Sequence, residues 1–154
     1  MWTRKHSVTL SIVICFIFTA VLTVGLFLAP WALKMWFMLY RGWVDGYPLA
    51  DTLSAFKACF YPSAIFAYIT LYSLIRLLFN IRKDDIFIAQ NVKYLRRISW
   101  CCFIVAAITL IGGLFYLPIG FIGIAAGFVG LMLRVVKNVM QTAVCIREEN
   151  DLTI

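Results

Sequence analysis

Four apolar stretches, separated by shorter polar segments, set the pattern of this chain. Residues 8–29 are almost wholly apolar and follow the polar cluster Arg4, Lys5 and His6. A helix rises ~1.5 Å per residue and a bilayer core is about 30 Å thick, so this run is long enough to cross. A basic start before an apolar run also suits a secretory signal, but such a core has about 7–15 residues. Residues 8–29 are therefore predicted to be a retained first transmembrane helix. A second span is predicted over residues 56–79, with Lys57 and Arg76 reaching opposite interfaces and Pro62 in its first turns. The third is predicted over 98–117 and the fourth over 119–136. Only residues 119–133 of the fourth precede Arg134, which is ~22 Å of helix. Arg134 and Lys137 must then snorkel, or the bilayer must thin. Tyr116, Leu117 and Pro118 leave room only for a tight hairpin between spans three and four.

The polar segments refine this outline. Between spans one and two, Trp31, Trp36, Tyr40, Trp43 and Tyr47 recur around Lys34 and Arg41, as in an interfacial aromatic belt. Between spans two and three, Asp84 and Asp85 are expected to cap a helix start. Phe87, Asn91, Leu95 and Ile98 then recur at helical spacing, which predicts a short cytoplasmic helix leading into span three. Gly120, Gly123, Gly127 and Gly130 share one face of the fourth span, and Gly112 and Gly113 are plausible facing residues. Such a stripe lets another backbone approach closely, within the chain or between copies in a homo-oligomer. Beyond the fourth span, residues 137–154 continue as an amphipathic helical extension and tail. Val136, Val139, Met140 and Ala143 fall on one side and Lys137, Asn138, Gln141 and Thr142 on the other.

Composition agrees with a membrane class. Of 154 residues, 64% are apolar and 14% charged, against roughly half and a quarter in soluble domains. The fold expected is all-α, one integral membrane bundle of four helices in a single domain, residues 1–154. The net charge of +7 has a topological reading. Lys34, Arg41 and Lys57 are the three of 14 cations assigned to one side. The remaining eleven flank the other, as the positive-inside pattern requires. Both termini are therefore expected in the cytoplasm, with the basic residues meeting lipid headgroups rather than nucleic acid.

Candidate chemistry is sparse. His6 is the single histidine, and no metal, cofactor or catalytic constellation is expected. All seven carboxylates lie outside the spans, whereas coupled transporters usually place an ionisable group near the midplane. Cys59 alone falls near the outer face, and Cys15, Cys101, Cys102 and Cys145 do not make a Cys-x-x-Cys pair. A thiol enzyme is accordingly disfavoured.

Two segments carry a resemblance. Phe87, Asn91, Val92, Leu95 and Arg96 before the third span, together with the terminal Glu148-Glu149-Asn150-Asp151-Leu152-Thr153-Ile154, resemble domain-of-unknown-function family 2975. Its members are small bacterial four-helix membrane proteins. The chain departs from the family pattern with Asp85 and Ile88 beside Phe87. The resemblance implies a bacterial plasma membrane location and no established activity. It also implies a partnership with a small Cro-like helix-turn-helix protein, because such a protein is often encoded alongside. On that reading, Phe87, Asn91, Leu95, Arg96, Glu148, Glu149, Asp151, Leu152 and Ile154 are the candidate partner contacts of a non-enzymatic protein. The alternative is a small-molecule or lipid-binding protein, or a transporter, that uses the aromatic outer segment.

Overall fold

A computed structural model of the chain describes residues 4–39, 49–114 and 117–151. It contains four α-helices: α1 (Arg4–Leu39), α2 (Leu49–Arg82), α3 (Ala89–Gly113) and α4 (Leu117–Asp151). All four are long and apolar enough to cross a membrane. With 36, 34 and 35 residues, α1, α2 and α4 each run to over 50 Å at ~1.5 Å per residue. Each therefore exceeds the ~30 Å of a hydrocarbon core and carries turns beyond it.

The helices outrun the apolar stretches, because apolarity marks what lipid requires while the backbone continues until something stops it. Pro30 does not end α1 but lies inside it. Pro62, expected in the first turns of its span, lies well within α2, which begins at Leu49. The proline costs one backbone hydrogen bond, from its own position to the carbonyl of Ala58, a loss that packed membrane helices tolerate. The expected short helix before span three is not separate: Asn91, Leu95 and Ile98 lie in the first turns of α3, while Phe87 precedes it. Likewise, α4 is one uninterrupted helix, with Pro118 at its second residue, where a missing amide donor costs little. Of the aromatic outer segment, Trp31 lies exposed on α1, whereas Tyr40, Trp43 and Tyr47 lie outside the described residues.

Each helix packs mainly on its neighbour in the chain: α1 on α2, α2 on α3, and most extensively α3 on α4. The least apolar of the four, α3, is central and carries the most buried residues, including Asn91, Leu95, Ser99, Ala106 and Thr109.

Small residues set the closeness of the α3–α4 contact. A Cβ at Gly113 would stand 2.7 Å from the Cα of Gly120, backbone against backbone. At Gly123 a Cβ would meet Leu110 and Thr109 at 2.8 Å and the Ala106 carbonyl at 3.0 Å. Gly130 is similarly tight, 3.2 Å from the Cys102 Cβ, whereas Gly127 has only ordinary contact, 3.7 Å from the Ala106 Cβ. The buried Ser99 hydroxyl donates across the interface to the Gly130 carbonyl at 2.8 Å. Lipid tails are as apolar as leucine, so this close packing and the interhelical hydrogen bond hold the pair.

Candidate functional site

The end of the bundle that carries the α2–α3 turn is built around Asn91, whose side chain is fully buried. Its amide donates to the carbonyls of Asp85 and Ile86, each at 2.8 Å, and its Oδ1 accepts from Asn80 Nδ2 at 2.8 Å. One side chain thus joins the last turn of α2, the connection and the first turn of α3. The connection itself closes α2 by a Schellman arrangement. Asp84 adopts a left-handed φ of 65°, the Asp85 amide donates to Asn80 O and the Asp84 amide to Ile81 O.

This corrects the expected role of the paired aspartates. They terminate α2 instead of capping α3, whose N-cap is Ile88 in extended conformation with no side-chain cap. Left-handed backbone suits Asp better than most non-glycine residues. Asn91 takes over the organising role from within the helix.

Above this turn, a groove of about 350 Å³ runs between the start of α3 and the end of α4. It is lined by Val92, Lys93, Arg96, Gln141, Val144 and Glu148, among others. The groove brings Arg96 and Glu148, far apart in sequence, to one surface. Phe87 is 44% exposed two residues before α3 begins. Leu95 and Asn91 are buried, so they shape this surface and do not present it to a partner. Glu148 and Glu149 are exposed. Asp151 is the last residue of α4, and Leu152 and Ile154 lie outside the described residues.

Cys145 also lines the groove, and its thiol donates to Glu149 Oε1 at 3.6 Å. It lies 28 residues past Leu117, ~42 Å along α4 and so beyond the hydrocarbon. The Glu149 carboxylate, by that hydrogen bond and by its charge, raises the Cys145 pKa, with a smaller contribution from Glu148. The thiol is therefore held protonated, the less nucleophilic form.

Adjacent on the same helix pair, Arg96, Ser99, Trp100, Arg134 and Lys137 line a second groove of about 320 Å³. The Arg134 guanidinium sits over the Trp100 ring, 5.7 Å from its centroid. Trp100 in turn meets Phe103 edge-on at 6.4 Å. Within the apolar zone, a cavity of about 330 Å³ is lined by Phe18, Leu22, Thr70, Cys101, Cys102 and Ala126, among others. Among the described residues, no group of three His, Cys, Asp or Glu is placed to hold a metal ion.

Sequence reasoning did not anticipate Asn80 as the partner of Asn91, or the Arg134–Trp100 contact. The available signal was an asparagine at each end of one short polar connection. Its pairing depends on how two helices close, which no local pattern records.

Fold and surface define the class: an all-α protein with four helices of membrane-spanning length. The chain belongs to DUF2975, a family described as proteins of unknown function, whose model matches residues 40–154. The match takes in α2, α3 and α4 and begins just after α1. Neither the curated proteins nor the solved structures include a match to it.

Proposed function

We propose that this chain is a non-enzymatic membrane protein that binds a small helix-turn-helix transcription regulator. The contact would form in the bacterial cytoplasm, at the end of the bundle carrying the α2–α3 turn and the last turns of α4. The observation that supports this reading is the groove that joins Arg96 to Glu148, with exposed Phe87 before it and exposed Glu149 beyond it. It offers a soluble partner a groove that carries Glu148 beside Lys93 and Arg96, with the carboxylate of Glu149 beyond its end. A DNA-binding regulator carries a basic surface, since phosphate contacts dominate its affinity for DNA. Glu148 and Glu149, with the acidic tail beyond them, compete for that surface, and recruitment to the membrane lowers DNA occupancy.

Exposed charges are screened over about 8 Å at physiological salt, so association weakens as salt rises. The test is co-fractionation of a small helix-turn-helix regulator, such as the resemblance implies, with membranes carrying the wild-type chain or Glu148→Lys with Glu149→Lys. The charge-reversed chain should insert normally and leave the regulator in the soluble fraction. Equal recovery with both chains would reject the acidic end as the contact.

A further inference from the structure

The second groove, between α3 and α4, shares Arg96 with that reading, while Ser99, Trp100, Arg134 and Lys137 do not enter it. Its lining holds three cations, Arg96, Arg134 and Lys137, and no carboxylate. We propose that it is a binding site for a phosphate group, such as the headgroup of an anionic lipid carries.

Depth, charge and shape support this together. Arg96 lies 17 residues from Gly113, and Arg134 lies 17 residues from Leu117, the two helix ends that meet at the opposite hairpin. At ~1.5 Å per residue both stand ~26 Å from that hairpin, close to the ~30 Å of a hydrocarbon core. The antiparallel helices thus bring their cations to one level, where apolar chains give way to headgroups. Trp100, 55% exposed, lies about one turn nearer the hairpin, and its ring meets the Arg134 guanidinium at 5.7 Å.

Among the described residues, the carboxylate nearest in the fold is Glu148, which shares the neighbouring groove with Arg96 and does not line this one. Among the described residues, Arg134 has the Trp100 ring as its contact, and no carboxylate reaches the groove. Three cations held close together repel one another, and an anion between them removes that cost. Guanidinium groups match phosphate oxygens through paired N–H donors, and a lysine adds a point charge. The Ser99 hydroxyl is already committed to the Gly130 carbonyl, so it fixes the width of the groove. Recognition therefore rests on charge, which favours an anionic lipid over a zwitterionic one whose own cation the groove repels.

The experiment needs no regulator, so its outcome is separable from that of the reading above. The full chain in mild detergent is titrated with phosphatidylglycerol, with phosphatidylcholine and with inorganic phosphate, and its thermal unfolding is followed. Phosphatidylglycerol should raise the melting temperature and phosphatidylcholine should not. A juxtamembrane cation contributes about 1 kcal/mol, or roughly fivefold in affinity. Arg134→Gln with Lys137→Gln should therefore weaken the phosphatidylglycerol effect roughly 25-fold, while Arg97→Gln, outside the groove, should leave it within about twofold. A matching response to inorganic phosphate, lost in the same double variant, would support the site with a soluble source. An unchanged response in the double variant, or an equal loss in Arg97→Gln, would overturn it in favour of diffuse surface attraction. Should the double variant not fold, native mass spectrometry of the unaltered chain in an equimolar lipid mixture decides. No enrichment of phosphatidylglycerol or of phosphate adducts would overturn the proposal.

Discussion

The helices α1 and α3 make an instructive contrast. The most apolar of the four, α1, is the most exposed, and the least apolar, α3, is the most buried. In water that order would be reversed. In lipid, leucine-rich surface gains nothing by leaving the hydrocarbon, so burial follows small and polar side chains that let backbones approach and pair. Along α1, Phe16, Phe18, Val21 and Phe27 face outward, while Ile12 and Cys15 are buried. A cross-helix hydrogen bond that it makes, between Thr23 and Tyr68 at 2.7 Å, lies in an exposed position. By contrast, α3 holds the Asn91 network at one end, Ser99 and Thr109 along its length, and Gly113 against Gly120 at the other.

The sharpest way to break this contrast is at Asn91. Asn91→Leu keeps the approximate volume but strands two backbone carbonyls and the Asn80 amide. A buried unsatisfied group costs ~1–3 kcal/mol. The variant should therefore lose at least that much in a reversible denaturation series, with the α2–α3 turn becoming open to proteolysis. A loss near zero would mean that water replaces the network and that α3 is not organised from this residue.

Glycine substitutions give the next largest effect and address both helices. Gly123→Ala should destabilise by ~1–3 kcal/mol, as in overpacked cores, because its Cβ meets a backbone carbonyl at 3.0 Å. Gly127→Ala has ordinary van der Waals space and should be nearly neutral. On α1, a Cβ at Gly25 meets nothing within 4 Å. Gly25→Ala should be neutral or stabilise by up to ~1 kcal/mol through helix propensity. Equal losses at positions 25 and 123 would remove the distinction between a lipid-facing and a packed glycine.

Smallest is the effect expected at the α1–α2 contact. Thr23→Val removes the hydrogen bond to Tyr68, and interhelical bonds in membranes average ~0.6 kcal/mol. One hydroxyl pair is lost at a lipid-facing position and no backbone group is stranded, so the loss should stay near that value. A loss as large as that at Asn91 would place α1 within the core that α2, α3 and α4 form.

How much of this was legible in the sequence follows from the same physics. The four apolar stretches and the near-absence of charge within them determine an all-α chain of membrane-spanning helices, because lipid leaves unpaired backbone no other partner. The glycine spacing on α4 marks a face where backbones can approach, and residues around Asn91 and the C-terminal acidic motif carry the family resemblance. Only the tertiary structure decided that Gly113 and Gly123 are pressed close while Gly127 is not, since that depends on the register of two helices. It also decided that Asn91 and Leu95 are buried and that Asp84 ends α2. The Arg96, Arg134 and Lys137 groove likewise exists only because two antiparallel helices bring distant cations to one depth. Local pattern fixes which segments are helices, whereas side-chain pairing across helices depends on packing that no single segment encodes.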